Sequence, residues 1–242
     1  MISNALSTAS IRQESIDAIV NIDLIKKIYL SNIDIFKKFI EERSDVYAEE
    51  LFNQLKNKKE FDFPINKHME FFILKNQKNI KKIIKYIIFR YKFYIAGKNK
   101  INLGYPPYVL IEPVSACNLR CPFCFQSDKS FTKKPFMGVM DYDFFKKIID
   151  QADELETGAI TIASRGEPTM HKKFIQMLEY VNKKENIFEI KINTNGTFLT
   201  DEMCHAIFKN NLTNIVISSD HYIKEDYERL RLGSNFEKVV KN

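Results

Sequence analysis

From about Tyr105 onward, short apolar runs alternate with amphipathic helical stretches, and this alternation limits the fold more than any other feature of the chain. Four runs read as strands: 108–113 (YVLIEP), 159–163 (AITIA), 188–193 (FEIKIN) and 214–218 (NIVIS). Between them lie helical patterns. Asp141 is placed to cap a helix with Phe144, Phe145, Ile148, Ile149 and Ala152 facing inward. Another runs through Phe174, Met177, Leu178 and Val181, and Thr200 or Asp201 opens a third. A weaker one covers about 222–232. Strands joined by helices of this length must run parallel, because a tight hairpin cannot return the chain in the same direction. Right-handed crossovers would curve four such units into part of a barrel. The expected class is α/β, a partial parallel β/α barrel.

Residues 1–104 read differently and form an all-helical N-terminal segment ahead of the core at 105–242. Glycine is nearly absent there, with only Gly97 before position 104. Ser31 is a candidate cap for a helix carrying Ile33, Phe36, Phe39 and Ile40, and Ser44 for one running to about Leu55. A long helix is expected from about Asn76 to Ala96, stopped by Gly97. Its stripe is Ile80, Ile83, Ile84, Ile87, Ile88 and Tyr91, with Lys81, Lys82, Lys85 and Lys92 off the stripe. The formal charge of +6 resides in this segment, which holds 19 Lys+Arg against 12 Asp+Glu; residues 105–242 sum to −1. The basic helix suits either a membrane or nucleic-acid surface or a core-facing stripe with a solvated face; the second reading is preferred, and no nucleic-acid signature accompanies the charge. No apolar run of about 18 residues occurs, and MISNALSTASIRQES lacks a secretory pattern, so a cytoplasmic location is expected.

Three of the four cysteines, Cys117, Cys121 and Cys124, fall within eight residues (CNLRCPFC) just past the first strand. The carboxyl ends of parallel strands are where ligands gather. Three thiolates on one short loop can wrap a cubane cluster and leave its fourth iron open, as a catalytic metal centre requires. The alternatives are a zinc site, for which Cys204 and His205 are the distant candidates, a disulfide, or a group of buried free thiols.

The spacing CxxxCxxC, with Phe123 before the last cysteine, resembles the signature of the radical S-adenosylmethionine (radical SAM) superfamily. Three further stretches, each after a successive strand, are similar to family elements. Ser164-Arg165-Gly166-Glu167-Pro168 looks like its GGEP element in an RGEP form; 193–196 (NTNG) resembles its TNG turn; Ser218-Ser219-Asp220 looks like its SxD element, with His221 where the family often has glycine. Arg231, in YERLRLG, resembles a later family arginine. The resemblance implies a [4Fe–4S] cluster on Cys117, Cys121 and Cys124. It implies S-adenosylmethionine as second cofactor, its amino group near Gly166 and Glu167, and further contacts from Phe123, Ser218, Asp220 and Arg231. It also implies the chemistry: one electron breaks the bond from sulfur to the 5′-carbon, and the 5′-deoxyadenosyl radical takes hydrogen from a substrate.

The motif style is closest to the SPASM branch, which modifies peptides and proteins among other substrates, although no cysteine follows Cys204 to build its C-terminal extension. A family core has six strand–helix units; four are read here, so the core is expected to be truncated after the fourth. The expected function is a radical SAM enzyme with an unassigned substrate, a peptide or protein among the candidates, and a reducing electron donor. Two other readings stay open: a truncated, non-catalytic cluster-binding remnant, and a zinc-binding interaction module.

Overall fold

A computed structural model describes residues 22–57, 63–163, 165–210 and 212–242. The fifteen N-terminal residues read for a signal, and Ser164, lie outside them. The chain divides between Leu103 and Gly104 into two compact units.

The first unit is helical: α1 (Ile22–Ser31), α2 (Ile33–Arg43), α3 (Val46–Asn57), α4 (Lys67–Lys75) and α5 (Ile80–Asn99). Its core is aromatic, with Phe36 edge-on to both Tyr29 and Phe52, and Phe72 stacked on Tyr86. Several sequence-based details shift. Asn32, not Ser31, stands at the start of α2. Ser44 ends that helix in the left-handed conformation, and Asp45 receives the first amides of α3. The long helix begins at Asn79, whose side chain accepts from the Lys82 amide. It runs through Gly97 to Asn99, where Lys100 adopts φ 54° as the stop. Glycine interrupts a helix only weakly when packing holds it. The middle of α5 is buried on more than one face, so Lys92 is not on a solvated surface; its ammonium pairs with Asp45 at 2.5 Å.

The second unit contains a four-stranded, all-parallel sheet in the order β1-β2-β3-β4: β1 (Tyr108–Ile111), β2 (Ala159–Ile162), β3 (Glu189–Thr194) and β4 (Asn214–Ile217). The helices are α6 (Tyr142–Glu154), α7 (Phe174–Asn182), α8 (Asp201–Lys209), α9 (Lys224–Leu230) and α10 (Phe236–Lys241). Asp141 caps α6 through the amides of Asp143 and Phe144, and Thr200 caps α8. One face of the sheet packs Ile111, Ile160, Ile162, Ile190 and Ile192 against Phe145, Ile149, Met177, Leu178 and Ile207 of the helices. Burying side chains of this size contributes about 1.5–3 kcal/mol each. Phe144, expected inside, is instead largely exposed, because Phe145, Ile149 and Ala152 already fill the inward face of α6. The edge strand β4 is exposed along its whole length.

This architecture is a partial parallel β/α barrel. Its loops at the carboxyl ends of β1, β2, β3 and β4 carry CNLRCPFC, RGEP, TNG and SSD in that order.

Candidate metal centre

The cysteine loop is fixed from three sides. On the first, Ser115 bonds Gly138 through its amide and hydroxyl, and Val114 bridges Val139. On the second, the Gly166 turn lies directly against the loop. The Glu167 amide donates to Ala116 O at 2.9 Å, and Gln126 Nε2 donates to both Ser115 O and Arg165 O. The contact is so close that a Cβ on Gly166 would sit 2.0 Å from Val114 O and 2.5 Å from Ala116 O. On the third side, the Arg120 amide donates to Leu232 O at 2.8 Å.

Within the loop, Cys121 is buried and Cys117 and Cys124 are half-buried. Burial pushes the Cys117 thiol up from its ordinary value. A bond from the Leu119 amide works against this, the charge of Glu167 adds to it, and a bond from Asn195 again opposes it. Burial also pushes the Cys121 thiol up; Arg231 counters, while Cys117, Cys124 and Asp220 reinforce. The Cys117 and Cys121 thiols therefore do not ionise easily without a cation beside them. They do not converge on one ion-sized point: among the described residues no three His, Cys, Asp or Glu side chains are placed to hold a single metal ion. A three-thiolate set of soft donors on a loop that excludes bulk from Gly166 fits an iron–sulfur cluster, in which each cysteine binds its own iron.

Glu167 occupies the centre of this end of the sheet and is 2% exposed. Its Oε1 accepts from the Thr169 amide, the Thr169 hydroxyl (2.5 Å) and the Thr194 hydroxyl (2.7 Å); Oε2 accepts from the Asn195 amide (2.7 Å). The carboxylate therefore ties the loop after β2 to the turn after β3. Glu167→Gln would aim an amide N–H at one of these donors. We expect a loss of about 2–3 kcal/mol, read by urea unfolding, since hydrogen bonds to a buried charge are worth more than neutral ones and an unpaired donor adds its own cost. Unfolding curves that superimpose would refute the clamp.

The TNG turn does more than reverse the chain. Asn195 Nδ2 donates to Asn118 Oδ1 at 2.9 Å and reaches Cys117 Sγ at 3.8 Å, while its Oδ1 accepts from Thr197. Asn118 in turn donates to Thr197 Oγ1. Gly196, at φ 79°, permits the turn. Asn118, Asn195 and Thr197 were not singled out as site residues from sequence. For Asn195 the signal was the NTNG run, which read as a turn and as the family's TNG element, with no contact assigned from it.

Asp220, Arg231 and Phe123 are brought together. Arg231 Nε bonds Asp220 Oδ2, and the guanidinium lies 5.8 Å from the centre of the Phe123 ring. Asp220 is not a helix cap, because α9 begins after Ile223. Ser218 sits half-buried at the end of β4, with its amide on Thr194 O. Cys204 lies apart on α8, with its sulfur 4.0 Å from Asn242 O.

The comparisons with known proteins agree with this geometry. Over 114 residues the chain is 39% identical to the tungsten-containing aldehyde ferredoxin oxidoreductase cofactor-modifying protein of Pyrococcus furiosus, covering 47% of this chain and 30% of that one. It is 30% identical over 146 residues to a serine-type anaerobic sulfatase-maturating enzyme of Bacteroides thetaiotaomicron, covering 56% and 35%. The chain thus spans about a third of the length of these relatives. Among solved structures, SuiB of Streptococcus suis bound to S-adenosylmethionine superposes with a TM-score of 0.51 at 19% identity, over 92% of this chain and 46% of that one, a likeness of fold. The profile of the Radical SAM superfamily matches residues 111–242, from the end of β1 through all four motif loops, and the chain belongs to that superfamily.

Proposed function

We propose that the chain is the cluster-bearing part of a radical SAM enzyme that modifies a peptide or protein substrate. The observation that carries this is the docking of the three-cysteine loop, through Gly166, onto the carboxyl end of a parallel sheet. When bound, the cluster and S-adenosylmethionine supply one-electron cleavage of a sulfur–carbon bond and a carbon radical that removes hydrogen from substrate. The chain's residues do the rest. Cys117, Cys121 and Cys124 would hold the cluster and would leave one iron open for the second cofactor. Gly166 brings main chain of its turn close to the site, where carbonyls can accept from the cofactor's ammonium. Glu167 acts on that turn by clamping it. Arg231, held by Asp220 and Phe123, offers a cation beside the cluster loop, and Ser218 a hydroxyl for sugar or carboxylate.

The sulfatase-maturating relatives support a peptide or protein substrate. Family membership favours this reading over a zinc-binding module or an inert remnant. The chemistry requires a reducing electron donor, and a reducing compartment that keeps the thiols free, so a cytoplasmic setting is part of the proposal. Among the described residues no helix is long and apolar enough to cross a membrane.

The test is anaerobic reconstitution followed by electron paramagnetic resonance. We expect a [4Fe–4S] signal that shifts on adding S-adenosylmethionine. A signal indifferent to the cofactor, or zinc in place of iron, would overturn the proposal.

A further inference from the structure

Parallel sheets with both faces covered carry apolar residues on both. β3 does not. Ile190 and Ile192 enter the helix-side core, while the alternate residues Glu189, Lys191 and Asn193 point to the other face. By register Lys191 stands between Thr161 of β2 and Asn214 of β4, and Asn193 beside Val216. Nearer the carboxyl end, Glu112 follows β1. It accepts from the Arg165 amide and takes its guanidinium at 2.6 and 3.0 Å, so that arginine is already neutralised.

Two polar groups on this face have no partner among the described residues. Lys191 is half-buried in a central strand, and among the described residues no carboxylate forms an ion pair with it. Asn193 Oδ1 is buried with no hydrogen-bond partner. Removing an amide oxygen from water without a partner costs stability, so such a group persists where a ligand completes it, and the Lys191 ammonium beside it supplies a cation. Same-face neighbours on a strand are about 6.6 Å apart. That spacing suits a carboxylate and a nearby N–H on one ligand.

We propose that this face recognises substrate and takes an acidic residue of a peptide, the carboxylate on Lys191 and a main-chain N–H on Asn193 Oδ1. This rests on the radical-enzyme reading for its purpose, and it lies on the same sheet whose carboxyl-end loops carry the cysteines. Lys191 and Asn193 would then be specificity-determining residues.

The experiment uses the reconstituted chain and three probes at millimolar concentration in saturation-transfer NMR: Ac-Ala-Glu-Ala-NH2, Ac-Ala-Gln-Ala-NH2 and N-acetylglutamate. The glutamyl peptide should bind at least about tenfold more tightly than the glutaminyl one, the scale of a charge-assisted bond. Lys191→Met should abolish that difference, Lys191→Arg should keep it, and Asn193→Ala should weaken the glutamyl peptide several-fold. The shift of the cluster signal by S-adenosylmethionine should survive in all three variants. The wild-type comparison of the two peptides needs no variant to fold. Equal binding of the two peptides, or none, overturns the proposal. So does N-acetylglutamate binding as tightly as the peptide, which would mean a small acid. So does loss of the cofactor shift in Lys191→Met, which would make this a cofactor contact. Selective peptide binding with no cofactor shift in the wild type would instead sink the radical-enzyme reading and leave the recognition face standing.

Discussion

Cys121→Ala is expected to bring the iron bound per chain after anaerobic reconstitution from about four to background. Cys121 is the most buried of the three cysteines and lies between the other two in sequence. Neither Asp220 nor Cys204 stands ready to take its place. Asp220 is held by Arg231, and Cys204 is on α8 facing the Asn242 carbonyl. Two thiolates on a loop then have to hold a cubane without a third anchor. Iron and sulfide assays read the result, with Cys204→Ala as the control that should load fully. Full iron content in Cys121→Ala would remove the cluster assignment.

Gly166→Ala should be the most damaging single methyl in the second unit. The added carbon would meet the carbonyl oxygens of Val114 and Ala116 at 2.0 and 2.5 Å. Both are backbone atoms, so no side chain can swing aside. The turn must lift off, losing the bond from the Glu167 amide to Ala116 and straining those from Gln126. Overpacking of this kind costs about 3 kcal/mol, on the order of 10 °C in melting temperature for a unit of this size. Cluster loading should fall with it, because the turn is one wall of the cysteine loop. Gly138→Ala is the matched control: nothing lies within 4 Å of a Cβ there, and melting should hardly move. A Gly166→Ala chain that melts like wild type and loads full iron would show that the two loops need not touch.

How much of the site could be read in advance follows from how local each feature is. The strand runs and the caps at Asp141 and Thr200 rest on contacts within a few residues, and they emerge where periodicity placed them. The end of the long helix was misplaced because packing of Ile95 and its neighbours outweighs the modest cost of Gly97 inside a helix. Lys92 was misassigned for a similar reason: a lysine off an apolar stripe looks solvated until Asp45, from another helix, meets it. The helices α1, α4 and α10 went unread, and length is not the reason, since α7 and α8 are as short as α4.

By itself the sequence determined the family and the order of its motifs. Both lie in short runs whose chemistry is set by spacing: three thiols in eight residues, then a glycine turn, an Asn-Gly turn and a Ser-Asp pair after successive strands. Only the tertiary structure decided what these residues do to one another. Glu167 is a clamp on Thr194 and Asn195, Asn195 is a partner of Cys117, and Arg231 joins Asp220 to Phe123. These bonds, some between residues more than seventy apart in sequence, exist because parallel register brings the carboxyl ends of β1, β2 and β3 to one edge. Register is a property of the packed sheet, and no window of sequence contains it.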